Sequence, residues 1–416
     1  MPGSNENLHR AKNAKNDEFY TQLSDIETEL NNYTDKFNGK VVYCNCDDPF
    51  ESNFVKYFLM NFNRLGLKEL IAAGYTTDPA GETGPKDTDH AYAIRVRSTK
   101  EYIVGAREDL DEDGVKRFLT AEKDNLAVRL TGNAARDESG NPVKVSVKEK
   151  YQCEDGKTKT RTIKRDLFYR AGDFRSDMSI ELLKQADIVA TNPPFSLFRE
   201  YVAQLMEYWK KFVIIGNKNA IAYKEVFPLL KDNKIWLGYS IHSGDRKFNV
   251  PDDYPLEAAG CGVDNDGKKF MRVNCVRWFA NIGHGLRHQP LLLDTMAHNL
   301  KFNKKLKKKF ENDYGKLEYP HYDNYDAIEV PFVEAIPSDY DGMMGVPITF
   351  MDKYDPEQFE IIGVFNNSNI EEKQHECFVL SRDTKTIING AEKLWNGPVI
   401  NKMPLYIRII IRPKKG

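Results

Sequence analysis

The chain has 416 residues, a formal net charge of −2, and 41% hydrophobic and 29% charged residues. That length allows a full core and two or three domains, with a composition ordinary for a soluble protein. No apolar run approaches the ~20 residues that cross a bilayer. The polar opening MPGSNENLHRAKNAKNDEF lacks the apolar stretch of a signal peptide, so a cytoplasmic protein with no membrane partner is expected. Six cysteines (Cys44, Cys46, Cys153, Cys261, Cys275, Cys377) are sparse. CNC at 44–46 has no second close pair to complete a zinc site, so reduced thiols and no bound metal are expected.

Residues 17–38 read as a short approach and a helix, with Ser24 or Asp25 as its cap. KVVYCNCDD (40–48) is a strand ending in acids, and SNFVKYFLMNF (52–62) is a helix with apolar spacing of three and four. KELIAAGYTT (68–77) is a second strand. DLFYRAGDF (166–174) leads to a small helix near 179–185 and then to the strand ADIVATN. A helix at 198–209, an apolar strand at 211–217, a further helix-like stretch and KIWLGY (234–239) follow. Such alternation predicts an α/β fold with a parallel sheet covered on both faces. Ligands then sit at the carboxyl ends of the strands, so CDDPFE and TNPPF should share one crevice.

Two regions break the alternation, and they set the expected domains. Residues 1–77 and 166–285 form the core domain, 78–165 an insertion, and 286–416 a C-terminal region. Within the insertion, 141–168 reads as a hairpin turning at Asp155-Gly156. Pairing Glu154 with Lys157 puts Lys148, Lys150, Lys159 and Arg161 on one face, suited to a phosphate backbone or, equally, to solvent. Beyond 285 lie the lysine run KFNKKLKKKF, with Lys301, Lys304, Lys305, Lys308 and Lys309 sharing much of one helical face, and a final strand, PLYIRIIIR. The near-neutral total charge therefore conceals two basic elements.

The stretch DIVATNPPFSLF (187–198) ends a buried strand in an Asn, two prolines and an aromatic. Prolines cannot donate to a ladder, so the strand stops there. The exocyclic amine of adenine is a poor nucleophile because its lone pair is delocalised into the ring. Two acceptors aimed at its N–H bonds favour a tetrahedral nitrogen and release that pair. The Asn192 side-chain oxygen and the Pro193 carbonyl can supply them, since Pro193 fixes the bend and keeps its C=O; Pro194 completes the motif, and Phe195 can stack on an extruded base. Upstream, NCDDPFESNF has the acids of a nucleoside-cofactor loop without the glycines of a dinucleotide loop. Two adjacent acids suit the cationic S-adenosylmethionine and would repel the pyrophosphate of NAD or the phosphates of ATP.

The chain resembles the EcoRI-type adenine-specific DNA methyltransferases. The resemblance is carried by NDEFYT (16–21), CNCDDPFESNFVKYF (44–58), GDFRS (172–176), ADIVATNPPFSLFREYV (186–202), FVIIGNKNAI (212–221), KFNVP (247–251) and DYDGMMGVPITFMDKYDPEQFEIIG (339–363). It implies a Rossmann-like sheet binding S-adenosylmethionine, with a hairpin insertion and a C-terminal DNA-recognition region. It implies that Tyr20 and Thr21 hold the methionine carboxylate, and that Asp47, Asp48 and Pro49 form the cofactor loop. Ser52 and Asn53 then open the following helix, and Asp173, beside Phe174, reads the cofactor's adenine amine. Asn192 to Phe195 grip the target amine, and Phe248 walls the base pocket. The usual ribose-binding acid is missing after the second strand, where Tyr75 or Asp78 substitutes. The implied activity is site-specific N6-adenine methylation of duplex DNA by a monomer, as a restriction partner beside a cognate endonuclease or as an orphan modifier. Two readings stay open beside it: methylation of RNA or protein glutamine through the same corner, and a catalytically silent nucleic-acid-binding protein on this scaffold.

Overall fold

In the computed structural model, residues 20–74, 91–97, 110–152, 158–242, 244–250, 256, 260–287, 289–367 and 377–414 are described. Tyr75, Asp78 and the hairpin tip at 153–157 lie outside them. The described residues fall into two compact units. One is drawn from Met1–Leu197, Gln204–Ile215 and Arg246–Val273, the other from Phe198–Ala203, Gly216–Asp245 and Asn274–Gly416. The chain thus passes between the units at 197/198, 203/204, 215/216, 245/246 and 273/274.

In the first unit, β1 (Tyr20–Thr21) precedes α1 (Leu23–Leu30). That helix is capped at Gln22 with no side-chain cap bond, two to three residues before the expected Ser24 or Asp25. Then come β2 (Val41–Cys44), α2 (Asn53–Met60), β3 (Glu69–Ala73), β4 (Tyr92–Arg97), α3 (Glu112–Leu126) and β5 (Ala127–Arg129). The hairpin strands β6 (Lys144–Gln152) and β7 (Thr158–Asp166) follow, then α4 (Asp177–Gln185), β8 (Ile188–Thr191), α5 (Phe198–Glu207), of which Phe198–Ala203 counts with the second unit, and β9 (Lys211–Asn217), which leaves the first unit after Ile215. Every residue of β2, β3 and β8 is buried, as short, continuous apolar strands require when helices cover both faces.

The strands order as β9-β8-β2-β3-β4-β5. β9, β8, β2 and β3 run parallel, as the alternation predicts. β4 and β5 are antiparallel additions, so the sheet is mixed and part of the span set aside as an insertion extends it. The buried carboxylate of Glu69 receives Arg95 and Arg97 from β4 at 2.6 and 3.0 Å, which holds that edge in register. From β2 the chain steps to β3 on one side, and later returns to β8 on the other. The carboxyl ends of β2 and β8 therefore flank the point where strand order reverses, the ligand crevice of open α/β sheets. A second sheet has the order β1, β10 (Asp245–Asn249), β12 (Lys269–Asn274), β11 (Cys261–Val263).

The hairpin corrects one expectation. Lys148 pairs with Thr162 and Lys150 with Thr160, while Tyr151 pairs with Lys159. This register is one residue away from the two-residue loop expected, and a one-residue slip exchanges faces. Positions 148 and 150 share a face with 160 and 162. Positions 159 and 161 fall on the face of 145 and 147, so the basic quartet is split.

The second unit carries β13 (Val276–Ala280), paired with Trp236–Leu237, and the helices α6 (Met296–Phe302) and α7 (Lys304–Tyr314). Asn303 ends α6 and caps α7 through its side chain, so Lys301 belongs to a different helix from the other lysines. A four-stranded sheet orders β14 (Ile328–Glu329), β15 (Met344–Pro347), β19 (Arg408–Pro413), β16 (Phe359–Phe365), and β17 (Thr384–Ile388) pairs with β18 (Ala391–Trp395). Its core gathers Tyr322, Phe365, Val379, Ile400 and Ile410. Inside it the carboxylate of Glu329, fully buried, receives the Arg408 guanidinium at 2.6 Å and the Tyr322 hydroxyl.

Candidate active site

The site is assembled from loops of the first unit alone. β2 ends at Cys44, and its loop bends over Asp47 to Ser52, the N-cap of α2, whose Oγ accepts from the Phe54 and Val55 N–H groups. Asp47 is buried. Its carboxylate accepts from Ser52 Oγ at 2.7 Å, from the Thr191 hydroxyl and from the Asn192 backbone N–H. The Thr191 hydroxyl in turn accepts from the Cys46 N–H at 3.2 Å. The end of β8 is thereby fastened to the end of β2, and Asn192 is fastened to Asp47. Burial pushes the Asp47 carboxyl up to about 6, against the pull of these three hydrogen bonds.

Asp48 shapes the loop itself, Oδ1 accepting from the Phe50 and Glu51 N–H groups at 2.8 and 3.0 Å. The next residue, Pro49, is buried. After Asn192 and the two prolines, Phe195–Leu197 form one 3-10 turn, with the Leu197 N–H donating to the Pro194 carbonyl at 3.0 Å. Phe195 is half-buried.

Three chain segments meet main chain to main chain at the Asp47–Asp48 loop. A Cβ on Gly74, at the end of β3, would lie 2.7 Å from the Asp47 carbonyl and the Asp48 nitrogen. Gly172, at φ +81°, sits so close that a Cβ there would strike the Gly74 carbonyl. Only glycine combines that left-handed backbone with that approach. The next residue, Asp173, accepts from Arg175 through its backbone N–H (2.9 Å), Nε (3.0 Å) and Nη2 (2.9 Å). The Arg175 guanidinium lies 4.9 Å from the Tyr169 ring centre and 5.2 Å from that of Phe174. Phe174 is buried, and its carbonyl accepts from Gln204 Nε2 at 3.1 Å.

The opposite wall comes from β1. Tyr20 pairs with Asn249 and Thr21 with Phe248, so the two segments singled out in the sequence lie side by side. Phe248 is 1% exposed. The Thr21 carbonyl accepts from Asn53 Nδ2 at 2.7 Å, while its buried Oγ1 has no hydrogen-bond partner. An orphaned buried hydroxyl on this wall fits a ligand with a polar end, as S-adenosylmethionine has in its amino-acid group.

The structure thus brings Thr21, Asp47, Asp48, Ser52, Asn53, Asp173 and Asn192–Phe195 to neighbouring loops, with Phe248 beside Thr21. Thr191, Gly74, Gly172 and Arg175 were not singled out from the sequence. A hydroxyl residue immediately before NPPF and a glycine ending AAG were the available signals. Lys148 is exposed, as are Lys304, Lys305 and Lys308 on α7.

A family model described as the adenine-specific methyltransferase EcoRI matches residues 7–414. The Type II methyltransferase M.EcoRI of Escherichia coli is 41% identical over 359 residues, covering 86% of this chain and 89% of that protein. M.MgeORF184P of Mycoplasma genitalium is 30% identical over 98% of this chain and 99% of its own. M.MpnI of Mycoplasma pneumoniae is 33% identical over 86% of each. No solved structure matches.

Proposed function

The chain belongs to the EcoRI-type adenine-specific methyltransferase family, and from that premise we propose that it methylates the exocyclic N6 amine of adenine in duplex DNA, with S-adenosylmethionine as donor. The observation that carries the reading is the bond between Thr191 and Asp47, which fixes the amine-gripping corner to the cofactor loop. When bound, the cofactor supplies an electrophilic methyl group at that crevice. Thr21 and Asn53 hold its amino-acid end. Asp47, turned inward, positions the loop, and Asp48 and Pro49 give that loop its shape. Asp173, held rigid by Arg175, accepts from the cofactor's adenine amine beside Phe174.

At the target, the Asn192 side-chain oxygen and the Pro193 carbonyl accept the two amine N–H bonds and draw the nitrogen out of conjugation. Phe195 stacks on the flipped base, Phe248 closes the pocket, and the nitrogen sheds its proton after the methyl has transferred. No strong base is needed. We further assign the second unit, with Lys304, Lys305 and Lys308, to DNA recognition on a Rossmann-like catalytic sheet. Incubation with labelled S-adenosylmethionine and DNA, RNA or protein tests the reading. Label should appear in DNA alone, as N6-methyladenine at one sequence. Label in RNA or protein, or none anywhere, overturns it.

A further inference from the structure

Lys56 stands one turn into α2, on a helix whose neighbours Phe54, Val55, Tyr57, Phe58 and Leu59 are all buried, and is itself only 9% exposed. Its one hydrogen bond among the described residues runs from Nζ to the neutral amide oxygen of Asn53, at a long 3.4 Å. No carboxylate among the described residues forms an ion pair with it. Glu51 and Glu112 act on it only from a distance, and Lys116 and Lys268 oppose them. A buried ammonium without an anionic partner is costly and is ordinarily paired. Burial accordingly pulls the Lys56 ammonium below its ordinary value.

The surroundings say what kind of anion is missing. Asn53, whose Oδ1 accepts from Lys56, donates its own Nδ2 to the Thr21 carbonyl at 2.7 Å, and Thr21 Oγ1 is the orphaned hydroxyl of that wall. Lys56 and Thr21 are thus linked through the Asn53 amide one turn from the cofactor loop, and the ammonium and the orphaned hydroxyl are donors without an anionic partner among the described residues.

We propose that Lys56 is the counter-ion of the cofactor's amino-acid carboxylate and makes the site selective for nucleosides that carry one. The inference rests on the cofactor reading above. Binding of S-adenosylhomocysteine would then pair the buried ammonium and raise its affinity for a proton.

Two probes separate the possibilities: S-adenosylhomocysteine, and 5′-deoxy-5′-methylthioadenosine, which keeps the adenosyl thioether and lacks the amino-acid end. By calorimetry, Lys56→Met should weaken S-adenosylhomocysteine about 10- to 100-fold, the worth of a hydrogen bond to a charged group, and leave methylthioadenosine unchanged. Lys56→Arg should keep most of the preference. In the unmodified protein, NMR titration of the Lys56 ε-methylene should show its pKa rise with S-adenosylhomocysteine and stay put with methylthioadenosine. Equal weakening of both nucleosides, or an unchanged preference in Lys56→Met, overturns the assignment. So does an ε-methylene titration unmoved by S-adenosylhomocysteine, a result that does not depend on the variant folding. A wild-type protein that binds neither nucleoside fails differently, because it removes the cofactor reading itself.

Discussion

A single oxygen and a single carboxyl carry most of what is testable at the residue scale. Asn192→Ala removes one of two acceptors for the target amine while leaving the backbone N–H that holds Asp47. Single-turnover methylation should fall by at least ~100-fold, the usual cost of losing one preorganised partner of the reacting group, with S-adenosylhomocysteine affinity nearly unchanged. Near-normal turnover in that variant rules the mechanism out. Asp47 makes a prediction about pH. Its folded carboxyl holds a proton up to about pH 6, against 3.8 ordinarily. The folded state therefore binds more protons than the unfolded state between those values. The stability this group contributes is full below 3.8 and is lost as pH rises through about 6, with about 3 kcal/mol as an upper bound. Asp47→Asn should remove that slope. Urea unfolding of both proteins from pH 4 to 7 checks it, and parallel curves would refute it. Neither the burial of Asp47 nor its bond to Thr191 was legible in the sequence. Adjacent acids look alike until the fold turns one inward and gives the other to the loop.

Elements were legible where hydrophobic runs decide them and illegible where pairing does. The strands at 41–44, 188–191 and 211–217 emerged nearly as read, because continuous apolar runs can only be central strands here. YAIRVR was passed over because its partner, Glu69, is distant in sequence. The hairpin strands were read correctly but their register was not, since register there depends on loop length rather than composition. The correction changes what the ribbon should do with DNA. If it lies along a phosphate backbone, neutralising Lys148 and Lys150 should lower the slope of log affinity against log salt by up to ~2, about one per phosphate contact. Neutralising Lys159 and Arg161, on the other face, should not match it. Equal effects from the two pairs would contradict a one-sided contact. In the second unit, Glu329→Gln leaves Arg408 buried beside a neutral partner and should cost ~3–5 kcal/mol, whereas Glu329→Leu with Arg408→Met should recover most of it. Thermal unfolding of the three proteins decides.

For the whole molecule, the chain visits the first unit three times, an interleaving that was not legible in the sequence because no change of composition marks the crossings. The floor at Gly74 and Gly172 has a consequence for how such a site can change. Main chain meets main chain there, so the floor offers evolution no side chain to exchange and any replacement moves three loops together. Preference among nucleosides must then be written on side chains such as Thr21 and Lys56, which can each be altered without removing a hydrogen bond to the other's backbone. Random libraries make the contrast visible. Selected for retained methylation, one at positions 74 and 172 should return glycine at both, while one at 21 and 56 should return variants that fold normally and differ in the nucleosides they accept.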